Sequence, residues 1–567
     1  MKNIYKILLG LTLCLTTISC EKTFLDEKSE SSLTPENAFN SNKDFEASIN
    51  NLYRLVRQEL YSRNDFQPWD YAYRTDIGFP ITASAPNLSA DYNAVNGFSN
   101  GHWNPYFKII AEANTIIGRV PTSKLTDAQK KEYEAQGRFF RAFAYRCLAY
   151  LYGGVPLILE EVKAPKIDFV RATRKEVYAQ VITDLKFAAE NLKAITAVKD
   201  GQISNLVAQH YLSEVYIADG QFQNAVTAAD VVINNSTVRL MTNRFGSRRT
   251  ETPGDVYWDL FRANNQNRAG NTNTEGLWVI QLEPDTPGGT SPTTVGFLNE
   301  NAFLFERVHA PLLRDLRING VSPFNWPIGD YSGGRGVGFL APSKYFIDNA
   351  YDDPTNDIRN ANHNFVRKFR ANNLSSPLFG REIDFANIPA GTTGVNGVRV
   401  NSGVSDRAIY PYQTKCTDPF GHPAGLLAGT DSRYPLLLKS GAGATYQDQY
   451  LVRLAETYLL RAEANLGLNK LDAATADINV VRSRAKAKAV TPSEVNIDYI
   501  LDERIREFGF EEKRMFTLMR LGKWAERVRK CNPFYASQVR DTYNLWPIPQ
   551  GEIDRNSGAV LAQNPGY

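Results

Sequence analysis

The apolar positions of Ala135–Leu159 (AQGRFFRAFAYRCLAYLYGGVPLIL) recur at three- and four-residue steps: Phe139, Phe140, Phe143, Ala144, Cys147, Leu148, Leu151 and Tyr152. That spacing predicts a strongly amphipathic helix. Gly153-Gly154 ends it, because glycine reaches left-handed dihedrals at little cost, and Pro156 blocks a return to helix. The same period predicts helices through Phe45–Val56, Tyr106–Val120 and Thr173–Asn191. Thr34 and Pro35 have the residue types of an N-cap and a first helical position. Between Phe66 and Trp103 no period is sustained, and Asn, Ser, Pro and aromatics dominate, which predicts a long loop.

Val207–Asp219 and Gln221–Asn234 predict a helical hairpin with the wording of a tetratricopeptide-type repeat, A-x-x-Y-L-x-x-V-Y followed by G-Q-F-x-x-A. A second copy stands 249 residues on, where Glu214 matches Glu463, Ala225 matches Ala474 and Val232 matches Val481. The expected fold is therefore mostly α. Tetratricopeptide-like helix pairs form a scaffold, and a long, irregular, loop-rich insertion carries a few short strands, among them Gly276–Leu282. The expected division is a helical part over 33–241, the insertion over 242–446 and a second helical part over 447–567.

Residues 1–19 read as an export leader. Lys2 and Lys6 precede an apolar core, Ile7–Ile18, that is shorter than the roughly 20 residues of a membrane-spanning helix. Ser19-Cys20 then has the pattern of a bacterial lipoprotein signal, with residues 20–32 as a polar tether. The chain has 64 basic and 61 acidic residues. A near-neutral balance offers no large basic excess for nucleic acid. Cys147, Cys416 and Cys531 make no disulfide framework; Cys416 and Cys531 are left as a possible pair. No CxxC or Cys/His cluster is present, so no metal site or cofactor is expected. Asp352, Asp353, Asn356 and Asp357 lack the EF-hand spacing and read better as a capped turn.

No constellation for catalysis stands out. GxSxG, HExxH and the phosphate loop are absent, and the five histidines are dispersed. Glu456, Glu463, Glu503, Glu507, Glu511 and Glu512 alternate with arginines on helices, the pattern of structural ion pairs.

Several blocks are similar to one known family. They are R-F-x-R-A-x-x-Y and L-Y-G-G-V-P-L-I around the first helix, C-x-x-x-F-L-D and L-T-P-E-N-A-F after the leader, and A-N-x-I-I in the helix before it. At the C-terminal end stand D-Q-Y-L-V-R-L-A-E-T-Y-L-L-R-A-E-A (Asp448–Ala464), I-L-D-E-R-I-R-E-F-G-F (Ile500–Phe510), L-W-P-I-P-Q-G-E-I-D and Q-N-P-G-Y. Together they resemble the SusD/RagB-like lipoproteins, the surface nutrient-binding partners of TonB-dependent transporters. The resemblance implies a lipid on Cys20, the outer face of an outer membrane, a SusC-like barrel as partner and no enzymatic activity. It implies a glycan as ligand; a peptide or other nutrient, a surface glycoside hydrolase or a pure interaction protein are the alternatives.

A sugar ring presents an apolar C–H face to an aromatic side chain and a polar rim to carboxylates, amides and guanidiniums. Two loop clusters supply both kinds of group. One is Trp69, Tyr71, Tyr73, Arg74 and Asp76, where Asp76 is similar in position to an acidic loop residue that family members use for glycan hydroxyls. The other is Trp326, Asp330, Tyr331 and Arg335, set among Pro and Gly. Both are expected to be displayed on open loops. Trp103 and Trp258 are expected in the core, and Trp524 and Trp546 in the framework.

Overall fold

The computed structural model describes residues 39, 41–61, 67–270, 273–283, 286, 302–429 and 436–567. The expected leader, the Cys20 lipidation site, the tether and the Thr34-Pro35 helix start lie outside the described residues.

The fold is mostly α. Among the described residues, the helices of seven residues or more are α1 (Asn42–Tyr61), α2 (Asn100–Arg119), α3 (Asp127–Tyr152), α4 (Arg174–Asn191), α5 (Asn205–Ala218) and α6 (Phe222–Ile233). After the insertion come α7 (Leu454–Gly467), α8 (Leu471–Arg484), α9 (Ile497–Phe508), α10 (Arg514–Arg520) and α11 (Trp524–Cys531). Capping boxes start α3 at Thr126, with Gln129 reaching back, and α4 at Thr173, with Glu176 reaching back. The helix α2 begins at Asn100, six residues before its expected start. Pro105 lies inside it, and the extra turn brings His102 and Trp103 into the core.

The Gly153-Gly154 turn is required twice over. Gly153 closes α3 at φ 78, ψ −127, a region that side-chain-bearing residues avoid. A Cβ on Gly154 would stand 2.2 Å from the carbonyl oxygen of Ala172. The chain after α3 therefore lies close against the entry to α4, where Pro156 forms a bridge with Arg171.

From α2 to α8 each helix packs on the next, and the series passes from α6 directly to α7. The helix array thus continues across the insertion, as stacked repeat units do. The helices α5 and α7 start 249 residues apart, at Asn205 and Leu454, as do α6 and α8, at Phe222 and Leu471. The matched glutamates of the two copies converge on one side chain. Arg520 donates to Glu463 at 2.5 Å and stands 3.7 Å from Glu214.

The described strands are short, and each pairs antiparallel with one other. Three of the pairs lie within the insertion and two tie it to the rest. The strand β1 (Gly78–Pro80) belongs to the long loop before α2, β2 (Gly276–Ile280) and β3 (Leu340–Pro342) to the insertion, and β4 (Gln449–Arg453) leads into α7. The β2–β4 pair clips the insertion's base together through Ile280 opposite Gln449, and β1–β3 joins Phe79 to Ala341. One buried cluster includes Leu52 of α1, Phe143 of α3, Trp278, Phe346 and Tyr412 of the insertion, and Trp524 of α11. The insertion shares the scaffold's core. Cys147, Cys416 and Cys531 are all buried free thiols, so Cys416 and Cys531 do not pair.

Candidate functional site

The arginine-rich helices form a buried ionic framework. Arg453 reaches Glu275, Glu507 and Glu511, Arg484 reaches Glu275 and Glu507, and Arg359 reaches Asp357, Glu503 and Glu507. Burial raises the Glu503 carboxyl, but Arg359, Arg506 and Arg482 outweigh it and hold the group at about 2. Such carboxylates stay ionised and paired, which suits a frame and not proton transfer. The Asp352–Asp357 turn is used similarly. Asp352 accepts from Arg482 and Tyr499, Asp353 from the Lys488 N–H, and Asp357 binds Arg359.

The first expected loop cluster belongs to this framework as well, which corrects its expected display. Trp69 is 1% exposed and stacks on Phe303 at 5.2 Å between ring centroids. Tyr71 is fully buried, its hydroxyl 2.6 Å from Glu59, 2.7 Å from the Tyr106 hydroxyl and 2.9 Å from His102 Nδ1. Tyr73 is buried too. Arg74 takes a positive φ of 60, donates to Asp70 and Asp91 at 2.9 Å each, and covers the Phe98 ring at 4.2 Å. Asp76 accepts from Arg514 at 2.7 and 2.9 Å and from Arg527 at 3.1 Å. The physical reason is that this loop threads between α10, α11 and the insertion. Its aromatics fill the space between scaffold and insertion, and its Asp76 carboxylate neutralises two buried guanidiniums.

The second cluster reaches the surface. Trp326 is half-buried, and its indole Nε1 donates to the Gly336 carbonyl at 3.0 Å, which fixes the ring against its own loop. The loop folds back through a bridge between Ile328 and Gly334, and Gly329 N–H donates to Leu436 O at 2.8 Å. Gly334 has φ 62, and a Cβ there would meet the Glu306 carboxylate at 2.4 Å. That same carboxylate accepts the Arg335 N–H at 2.9 Å and His422 Nε2 at 2.7 Å. Tyr331 is half-buried and meets Phe420 edge to face at 5.7 Å; Phe420 is itself 53% exposed. Asp330 accepts from its neighbour Ser332 N–H at 2.7 Å and from Asn372 at 3.1 Å, so it stiffens the loop. Burial raises its carboxyl, against those hydrogen bonds.

The structure thus sets Arg335 on the Trp326 ring and Tyr331 against Phe420 along one half-buried loop ledge braced by Asp330, apart from the buried Trp69 cluster. Phe420 was missed, although the Pro419-Phe420-Gly421 setting carries the same signal that marked Trp326. A second open feature is an apolar hollow of about 240 Å³ lined by Phe79, Ile347, Val404 and Phe534, with the Phe79 and Phe534 rings stacked at 5.2 Å. It too was not foreseen, because its walls come from four distant segments. Trp103, Trp258, Trp524 and Trp546 are buried as expected.

This arrangement can hold a flat, partly apolar ligand on fixed rings. Residues 437–567 match the model of the SusD family, and residues 23–217 match a model described as starch-binding, associating with outer membrane. The chain belongs to the SusD/RagB-like family. This SusD-like chain is 26% identical to SusD-like protein P2 of Formosa agariphila over 98% of both chains. It is 37% identical to the starch-binding protein SusD of Bacteroides thetaiotaomicron over 22% of this chain and 23% of that one. Among solved structures, a laminarin-binding SusD-like protein superposes with a TM-score of 0.63 at 21% identity, over 93% of this chain and 100% of that one. A surface glycan-binding protein A from Bacteroides fluxus gives 0.63 at 18%, with the same coverage. Among the described residues no helix is long and apolar enough to cross a membrane.

Proposed function

We propose that the protein captures an oligosaccharide or polysaccharide at the cell surface and hands it to a TonB-dependent, SusC-like barrel in the outer membrane. Residues 1–19 direct export, lipid on Cys20 anchors the chain, and residues 20–32 tether the body. Acyl chains alone hold such a body at a membrane. The chain binds and releases; it breaks no bond. Trp326, Tyr331 and Arg335, with Phe420, form the binding ledge, and Asp330 holds it in place. The observation that carries this reading is the rigid display of half-exposed aromatic rings beside hydrogen-bonding side chains, in a family whose relatives include starch- and laminarin-binding proteins.

The test is affinity electrophoresis and calorimetry on the soluble form beginning at Glu21, against starch, laminarin and a panel of plant, algal and fungal glycans and peptide mixtures. Saturable binding to one glycan without its degradation is expected, with Trp326→Ala losing roughly ten-fold or more in affinity. Binding of peptides alone, or wild-type affinity in Trp326→Ala, would overturn the ligand class or the ledge respectively.

A further inference from the structure

The ledge continues into a surface where guanidiniums lie on aromatic rings. Arg314, its side chain 48% exposed, places its guanidinium carbon 4.5 Å from the Trp326 ring centroid, and Arg335 stands 5.0 Å from the same ring. Beside them the half-buried Phe339 ring carries Arg407 at 5.3 Å and Arg307 at 5.6 Å. Arg407 is set by its Nε, which donates to Val337 O at 2.9 Å and Gly338 O at 3.1 Å. Its backbone carbonyl accepts from Leu312 N–H at 2.9 Å, which ties it to the segment bearing Arg314. The terminal nitrogens of Arg407 donate to no acceptor among the described residues. Arg314 makes one long described contact, 3.3 Å from Nε to Asp315. Burial lowers Arg407; Asp315 opposes this, and Arg314 and Arg307 add to it, so the guanidiniums sense one another. Asp406, next to Arg407 in sequence, is turned to its own loop and accepts from Ala408 N–H at 2.8 Å.

A guanidinium lying on an indole or phenyl ring shares that ring with a stacked sugar and places N–H donors beside it. Its planar pair of N–H groups matches two oxygens of a carboxylate or sulfate and adds a charge-assisted bond that neutral sugar hydroxyls do not offer. A neutral glycan would also leave the repulsion between Arg314 and Arg407 in place. The whole chain is nearly neutral, with 64 basic and 61 acidic residues, so this concentration is local. The geometry points to an anionic glycan, bearing uronate carboxylates or sulfate esters, as the ligand of this surface, with Arg314 and Arg407 reading its charge. This rests on the reading that the Trp326 ledge binds glycan.

The test uses the soluble chain from Glu21 and polymers in matched pairs: polygalacturonate against its methyl ester, and carrageenan against desulfated carrageenan, with laminarin as a neutral reference. One charged polymer is expected to bind about ten-fold tighter than its neutral counterpart, and the advantage should shrink as added salt shortens the reach of charge. Which pair shows it distinguishes carboxylate from sulfate. Arg314→Ala with Arg407→Ala should abolish the advantage, whereas Lys163→Ala with Lys166→Ala, on the exposed segment after α3, should keep it. Arg407 also bridges two carbonyls, so the exposed Arg314→Ala alone guards against misfolding and should remove part of the advantage. Equal binding of charged and neutral partners, or an advantage that survives both arginine substitutions, overturns the inference. If laminarin then binds and Trp326→Ala releases it, the capture reading stands without the charge reading. No binding to any of the five polymers overturns both.

Discussion

At the scale of single residues, the two tryptophans that look alike in sequence make opposite predictions. Trp69 is enclosed by Phe303 and Phe305, so Trp69→Ala should cost about 3–5 kcal/mol of stability, read as a lower urea midpoint. Trp326→Ala should change binding and leave the midpoint nearly unmoved. Asp76→Asn removes the buried charge that Arg514 and Arg527 share, leaving them Glu512 and Asp502, and should destabilise by about 1–3 kcal/mol. His102 adds a pH dependence. Burial lowers it, but Glu59 at 2.5 Å and Asp70 at 3.2 Å outweigh burial and raise it from 6.5 to about 9. A raised folded value means protonation favours the native state. Its contribution is complete below pH 6.5 and fades as pH rises through about 9. Urea midpoints of the wild type and His102→Gln measured from pH 6 to 10 should converge as pH rises; parallel curves would show that His102 titrates normally. The sequence could not separate the two tryptophans, because an aperiodic loop leaves no mark of which way its side chains face.

At the scale of elements, helix periodicity was the most informative signal. The ends of α3 and α4 and the repeat that relates α5–α6 to α7–α8 were legible from apolar spacing, caps and glycines. Three things were not. The start of α2 was hidden by Pro105, which normally marks a boundary but here lies inside the helix. The strand β4 was hidden because Gln449–Arg453 runs without a break into the apolar stripe of α7. The arginine surface was hidden because Arg314 and Arg407 meet only through a turn contact across the insertion. The glycine pair after α3 gives this scale its prediction. Gly153→Ala meets a dihedral penalty on the order of 1–2 kcal/mol. Gly154→Ala instead drives a methyl group to 2.2 Å from the Ala172 oxygen, a backbone atom with little room to yield. Thermal unfolding should show both variants destabilised, with Gly154→Ala the worse. If Gly154→Ala melts like the wild type, the close approach of α3 to the α4 entry is wrong.

For the whole molecule, the insertion shares the main core through Trp278, Phe346 and Tyr412, which sit in the same cluster as the helices, and adds only small clusters such as Leu426, Leu438 and Ala442. One cooperative transition is therefore expected, with far-ultraviolet ellipticity and tryptophan fluorescence changing together in urea. Two resolved steps would mean that the insertion is an independent unit. A shared core also places the ledge on a rigid base, so ligand should find the rings already set and raise the melting temperature by simple mass action.

The convergence of Glu214 and Glu463 on Arg520 has a consequence in time. The first of these glutamates leaves the ribosome 249 residues before the second, an interval of roughly 12–50 s at about 5–20 residues per second. Throughout it, α5 and α6 lack the neighbour that covers Ile217 and Ala225, namely Leu460 and Ala464 of α7. The half-made chain carries a sticky edge that only its own late arrival can cover. A fragment ending at residue 446 should therefore aggregate, and adding residues 447–567 as a separate peptide should restore its solubility. Persistent solubility of the fragment alone would show that the early helices need no such partner.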